Sequence, residues 1–206
     1  MDAYGSVRFD YRLMTEPCVG RAMEIVILRL GHRVARDKRV TTHIGLVGRA
    51  LGARGMLLTS ADTSVERSLS RVTARWGGEF FVRSGVTWHE ELKRWQREGG
   101  KVCHLTMYGE NILDVIEEIR AEAEHEGARI MVVVGAEKVP YEVYALADWN
   151  IAIGSQPHSE IAALALFLDY LQRGRELKAC YEHAAIEIVP RRKGKEVRRK
   201  ETGRPE

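Results

Sequence analysis

Apolar bursts rich in β-branched residues recur along the chain as EIVILRL (24–30), GMLLTS (55–60), EFFVR (79–83), KVCHLTM (101–107), RIMVVVG (129–135) and WNIAIG (149–154). Short runs of this kind, bounded by glycine or polar turns, predict strands with both faces covered. Between the bursts the apolar positions fall three or four apart, as in Val65, Leu69 and Val72, in Trp88, Leu92 and Trp95, and in Ile161, Leu164, Leu168 and Leu171. That spacing places each set on one stripe of a helix. Thr63 with Glu66 and Thr87 with Glu90 have the capping-box separation, in which a hydroxyl accepts a helix N–H and the glutamate reaches back. Thr41 or Thr42 is expected to cap a further helix, with Arg49 about two turns inside it. Ile112 to His125 reads as a helix ended by Gly127, and Gly174 is the expected cap of the helix Ser159 to Arg173. Strands and helices in alternation predict an α/β fold with a mostly parallel sheet and helices on both faces.

The two ends depart from this pattern. Residues 1–22 have no clean period and contain Gly5, Pro17 and Gly20. They are expected to form a poorly ordered N-terminal extension, with Met23 as an alternative start. Residues 179–206 hold AAIEIVP, RRKGK and EVRRKE, which predict a β-hairpin turning at Lys193-Gly194 and then a basic tail. The intervening residues 23–178 are expected to form one domain, in keeping with a chain of 206 residues.

Charge adds one bias to this picture. The net charge is only +3, yet Ile186 to Glu206 holds eight Lys/Arg against four Asp/Glu, which suggests an anionic partner such as RNA. Cys18, Cys103 and Cys180 are widely spaced without a CxxC pair, so they read as small buried hydrophobes rather than disulfides or zinc ligands. No run of about 18 apolar residues is present, and the first stretch carries charges where a signal peptide is apolar. A cytoplasmic protein without a membrane span is the expectation.

Dinucleotide and nucleotide-triphosphate loops require GxGxxG or GxxxxGK[ST], a serine-hydrolase elbow GxSxG, and a zincin HExxH. None of these occurs, and no metal is expected. The strand-end turns Leu105 to Gly109, Gly135 to Val139 and Ile153 to Glu160 instead combine backbone, apolar walls and short polar groups. They read either as the walls of a site for a flat heterocycle such as adenine or as plain strand ends. A second constellation packs Arg29, Arg33, Arg36, Lys38, Arg39, Arg49 and Arg54 into residues 28–55. It reads as a phosphate- or hydroxyl-directed group of guanidinium forks, or as a solvated charged face.

Taken together, GHRVARDKRVTTH, HLTMYG, VVVGAEKVP and QPHSEIAALALFLD resemble the archaeal tRNA (cytidine-2'-O)-methyltransferase family that modifies the T-loop cytidine at position 56, within the SPOUT superfamily. The resemblance runs from Glu24 to the C-terminal hairpin. It implies an S-adenosyl-L-methionine-dependent enzyme with a deep C-terminal trefoil knot, acting as a homodimer whose active site takes groups from both subunits. Matched by motif, the cofactor would contact Leu105, then Gly135, Ala136, Glu137, Lys138 and Val139, then Ile153, Gly154, Ser155, Gln156, Pro157, His158, Ser159 and Glu160. The superfamily's Asn-x-Gly-x-x-x-Arg motif is matched by HIGLVGR, which places Arg49 in ribose activation. His43 stands there in place of Asn, and Ser155 stands where the family often has Asn. Arg33 would assist Arg49 and, with Arg36, Arg39, Arg191, Arg192 and Lys193, grip the tRNA.

The implied reaction suits these residues. A ribose 2'-OH is a poor nucleophile and needs a cationic or basic neighbour as it attacks the sulfonium methyl. Free arginine has a pKa above about 12, so electrostatic stabilisation of the forming alkoxide is the easier role for Arg49. The sequence leaves open a catalytically silent RNA-binding α/β module, or a methyltransferase for another RNA nucleotide.

Overall fold

The computed structural model describes residues 23–136 and 138–200. The expected N-terminal extension, Cys18, Glu137 and the last residues of the basic tail lie outside the described residues. Six strands, β1 (Met23–Leu30), β2 (Gly55–Leu58), β3 (Phe81–Ser84), β4 (Lys101–Asn111), β5 (Ala128–Gly135) and β6 (Trp149–Ala152), form one sheet in the order β3-β2-β1-β5-β4-β6. Every neighbouring pair in it is parallel. The helices are α1 (Val34–Ala50), α2 (Thr63–Trp76), α3 (Trp88–Arg97), α4 (Ile112–Ala123), α5 (Tyr141–Leu146) and α6 (Glu160–Gln172). This is the α/β sheet with helices on both faces that the alternation predicted.

The period-two alternation of β1 shows how the faces are divided. Ile25 and Ile27 join a core with residues of α1, α2, α4 and α6, whereas Val26, Leu28 and Leu30 join Leu92 and Trp95 of α3 and Val143 of α5. Each such side chain removed from water contributes about 1.5–3 kcal/mol. Helix α1 lies so close to β1 that a Cβ on Gly48 would stand 2.1 Å from Ile27 Cδ1.

Several helix ends differ from expectation. Helix α1 begins at Val34 with Arg33 as N-cap, seven residues before Thr41, because Asp37 reaches back to accept the Arg33 backbone N–H at 3.1 Å. Arg49 therefore lies in the last turn of α1. The N-cap of α2 is Asp62, whose carboxylate accepts from Ser64 and Val65. Glu66 is thereby freed to accept from the Ser84 backbone N–H of β3 at 2.7 Å. Thr87 is the N-cap of α3 but makes no side-chain capping bond. Arg173, in the left-handed conformation at φ 57°, caps α6 one residue before Gly174, and α4 stops at Ala123, short of Gly127. Helix α5 was not anticipated, since six residues are too few to display a helical period. Cys103 is buried as expected, which raises its thiol pKa, but Cys180 is exposed.

After a 3-10 turn at Arg175–Lys178, the chain forms the expected antiparallel hairpin of β7 (Ile186–Val189) and β8 (Glu196–Arg199). It docks against the end of α2, where Gly78 N–H donates to the Glu182 carbonyl at 2.7 Å and Ala185 N–H to the Arg75 carbonyl at 3.1 Å.

A buried polar chain fixes the β1–α1 turn. His32 contacts Asp62 Oδ2 through Nε2 at 3.1 Å and Thr41 Oγ1 through Nδ1 at 2.9 Å, while Ser60 donates to the His32 carbonyl at 2.6 Å. Burial pushes the Asp62 pKa up, but hydrogen bonds from Ser64, from His32 and from the Ser64 and Val65 backbone bring it below its ordinary 3.8, to about 2. Because the folded pKa is depressed, the contribution of Asp62 is fully present above about pH 4 and fades as pH falls through 2. Urea unfolding should therefore show Asp62→Asn less stable than wild type by about 1–3 kcal/mol at pH 7, with the gap narrowing towards pH 2. A gap independent of pH would contradict this role.

Candidate functional site

The carboxyl ends of β4, β5 and β6 enclose a cavity of about 300 Å³. Its β4 wall exists because the ladder to β6 is interrupted: Leu105 and Glu110 both pair with Ile151, so Thr106 to Gly109 bulge away from the sheet. The bulge closes tightly on β6, since a Cβ on Gly109 would stand 2.3 Å from the Asn150 carbonyl carbon and oxygen. Only glycine fits there. The β5 wall is Val134, Gly135, Ala136 and Val139, and the β6 wall is Ile153 with Gln156 to Glu160.

Three turns distant in sequence are thus brought to one cavity. Leu105, Gly135, Ala136, Val139, Ile153, Gln156, Pro157, His158, Ser159 and Glu160 line it. Lys138 lines an adjoining cavity, and Gly154 and Ser155 sit in the β6 loop without lining either. Within that loop His158 Nε2 donates to the Ile153 carbonyl at 2.6 Å, and the Ser159 hydroxyl caps α6 by accepting from Ile161 N–H at 3.1 Å.

Sequence reasoning missed the group behind these walls. Arg29 on β1 has 0% exposure. Its Nη1 donates to the Gly135 carbonyl at 2.8 Å and its Nη2 to Glu160 Oε1 at 3.0 Å. One guanidinium fork therefore ties β1, the end of β5 and the start of α6. Burial lowers its pKa and Glu160 opposes the shift, but a guanidinium keeps its proton. The signal was present in EIVILRL, where Arg29 continues the inward register of Ile25 and Ile27. A charge at such a position is tolerated only when paired.

His104 on β4 is a second buried polar group behind the walls. The Asn150 amide nitrogen donates to the Tyr144 carbonyl at 2.9 Å, so the amide oxygen faces His104 Nδ1 at 2.8 Å. Nδ1 must then carry the imidazole proton. Burial lowers the pKa of His104, which keeps the ring neutral. Tyr144 in turn reaches the β4 bulge, with its hydroxyl 3.3 Å from Thr106 Oγ1. Among the described residues, no three His, Cys, Asp or Glu side chains form a metal cluster.

The basic residues divide by location. Arg33 stands at the start of α1 and forks onto Asp37 at 2.8 and 3.2 Å. That hydrogen bond is the chief reason the Asp37 carboxyl falls to about 2. Arg36 and Arg39 are exposed on the same helix, and Arg191, Arg192 and Lys193 are exposed at the hairpin turn, where Arg191 pairs with Glu196. Arg49 does not line the cavity. Sixteen residues after Arg33 on α1, it lies about 24 Å along the helix axis. There Arg49 is buried, and its guanidinium donates to the Gly77 carbonyl and stands 4.8 Å from the centroid of the Tyr181 ring.

Residues 76–198 match the family model described as tRNA ribose 2'-O-methyltransferase, aTrm56. The tRNA (cytidine(56)-2'-O)-methyltransferase of Methanocella arvoryzae is 55% identical over 174 residues, covering 84% of this chain and 97% of its own length. The enzyme of the same name from Methanopyrus kandleri is 53% identical over 175 residues, covering 84% and 96%. Among solved structures, the A. aeolicus TrmH/SpoU tRNA modifying enzyme has a TM-score of 0.52 at 15% identity, covering 77% of each chain. An RNA 2'-O ribose methyltransferase has a TM-score of 0.51 at 16% identity, covering 81% of this chain and 62% of its own. These two share the fold, while the closer sequence relatives establish the family. With a family model matched across more than half its length and relatives above 50% identity across most of it, this chain belongs to the tRNA (cytidine(56)-2'-O)-methyltransferase family.

Proposed function

We propose that this chain transfers the methyl group of S-adenosyl-L-methionine to the ribose 2'-oxygen of cytidine 56 in tRNA. The carrying observation is the meeting of three strand-end turns in one cavity, in a chain 55% identical to an enzyme of that name. The cavity suits the cofactor. Leu105, Val134, Val139, Ile151 and Ile153 offer apolar walls for an adenine ring, and the Glu160 carboxylate offers negative charge to a sulfonium or ammonium. The bound cofactor would supply an electrophilic methyl group. The protein's part is to hold Glu160 and the loop backbones in place and to exclude water.

Leu105, Gly135 to Val139 and Ile153 to Glu160 are the cofactor-binding segments in this reading. Arg49 stabilises the developing 2'-alkoxide, and Arg33, at the carboxyl edge of the sheet, assists it. Arg36, Arg39, Arg191, Arg192 and Lys193 hold tRNA phosphates through contacts that weaken with salt. The fold unit is residues 23–178, with the hairpin and tail from 179 as a basic appendage. A deep trefoil knot is part of the proposal. It is supported by the course of residues 153–159, which lead from edge strand β6 past the Thr106–Gly109 bulge to Glu160 beside β1. None of the described helices is long and apolar enough to cross a membrane, and action on tRNA suits the cytoplasm.

Arg49 does not line its own chain's cavity and lies at the end of α1 away from the carboxyl edge of the sheet, so the reading includes a homodimer in which it serves the cavity of the second subunit. The basic test is methyl transfer from tritiated S-adenosylmethionine to an unmodified tRNA transcript. Transfer is expected with cytidine at position 56 and none with 2'-deoxycytidine there; equal labelling of the two would overturn the assignment. The shared site is tested by mixing two inactive variants, Arg49→Ala and the cavity-blocking Ala136→Trp. Random pairing should restore about a quarter of wild-type activity, since half the dimers then hold one intact site. No recovery would place Arg49 outside the shared site.

A further inference from the structure

The same edge of the sheet holds a second cavity of about 200 Å³. Gly31 of the β1–α1 turn, Thr59 after β2, Trp88 at the start of α3 and Lys138 of the β5 loop contribute to its walls. Ala136 and Val139 line both cavities, so these two residues stand between them. We propose that this second cavity receives the base and ribose of the nucleotide to be methylated, with Trp88 as the ring on which the base stacks. The inference rests on the reading of the larger cavity as the S-adenosylmethionine site.

Three observations support it. In-line methyl transfer needs the acceptor oxygen about 3–3.5 Å from the methyl carbon, so the acceptor's site must adjoin the donor's. The shared Ala136 and Val139 supply that adjacency. The volume is below the roughly 300–1,000 Å³ of pockets for larger ligands, and so suits one nucleotide drawn out of its stack rather than a length of RNA. The chemistry also fits: an indole presents a π-face to any base, the Lys138 ammonium is a donor for the oxygen and ring-nitrogen acceptors of a pyrimidine, and the Thr59 hydroxyl, whose proton goes to the Arg29 carbonyl at 3.4 Å, is an acceptor for its amino group.

Trp88 is well placed to act as a fixed platform. It is half-buried against a core that contains Leu92 and Trp95 of its own helix. The β1–α1 turn opposite is pinned by the Ser60 bond to the His32 carbonyl, 2.6 Å long. Arg33 and Arg36 stand two and five residues after Gly31, at the N-cap and in the first turn of α1, where they can meet the phosphates flanking an extruded nucleotide.

The test compares Trp88→Ala and Trp88→Phe with wild type in the full-length protein. The readouts are KM for tRNA, calorimetric affinity for S-adenosylmethionine, and thermal unfolding. Trp88→Ala should raise KM for tRNA about tenfold or more with cofactor affinity within about twofold of wild type, and Trp88→Phe should recover most of the loss. An unchanged KM in Trp88→Ala overturns the inference, as does an equal loss of cofactor affinity. Should Trp88→Ala fail to fold, wild type is irradiated with a transcript carrying 4-thiouridine at the target position. Crosslinks to residues 87–89 or 136–140 support the site, and crosslinks elsewhere overturn it. Wild-type transfer with an unaffected Trp88→Ala removes this inference alone, whereas a wild type without any transfer removes the methyltransferase reading as well.

Discussion

A guanidinium with no accessible surface can be kept in an apolar core only if its charge is met there. Arg29 has the Glu160 carboxylate for its charge and bonds the Gly135 carbonyl and Glu160 through its two terminal nitrogens, while Nε is buried without a hydrogen-bond partner among the described residues. One belongs to the end of β5 and the other to the first residue of α6, so satisfying the charge also sets the distance between two walls of the larger cavity. Glu160 is the more exposed partner, with a side chain 33% accessible against 1% for Arg29. The ion pair thus presents its negative end towards the cavity and keeps its positive end in the core. That polarity favours a cationic ligand over a phosphate, in accord with the absence of a phosphate loop from the sequence.

The rest of the site follows from how a parallel sheet ends. Strand order places β4, β5 and β6 together although α4 and α5 separate them in sequence, and their carboxyl ends open on the same side. The four-residue bulge in β4 raises one wall, and the close approach of Gly109 to Asn150 holds its base. Behind it the His104, Asn150 and Tyr144 bonds lock the imidazole in one tautomer and link β4, β6 and α5. On the neighbouring side, His32, Thr41 and Asp62 hold the β1–α1 turn that carries Arg33 and Arg36. Rigid supports on both sides of the β5 loop suit a reaction that depends on bringing two ligands into line.

Much of the fold was legible because burial on both faces leaves a direct trace in sequence. Bursts such as EIVILRL and RIMVVVG became β1 and β5, and the α6 stripe of Leu164, Leu168 and Leu171 entered the core. The helix starts were less legible, since the caps depend on partners remote in sequence. Glu66 left its capping box for the β3 backbone, and Asp37, rather than a threonine, secured the start of α1. At the site, the turns could be picked out by their polar and glycine content, but their convergence depends on strand order. Arg29 was counted among the basic residues of a surface-like block, although its odd-numbered register with Ile25 and Ile27 already placed it inside. The motif match gives Arg49 a role but no position, and its place in the last turn of α1 follows from a helix start at Val34 that no threonine marks.

The central claim is that the Arg29–Glu160 pair builds the cofactor cavity rather than merely stabilising the sheet. It is tested most directly by a double-mutant cycle of Arg29→Met and Glu160→Ala, with S-adenosylmethionine affinity and unfolding free energy measured for each variant. Glu160→Ala leaves Arg29 buried without its carboxylate and should cost about 3–5 kcal/mol of stability, a loss that the added Arg29→Met should largely relieve. Cofactor affinity should fall about tenfold or more in both single variants and stay low in the double variant. Recovery of affinity together with stability, or wild-type affinity in any of the three, would contradict the account.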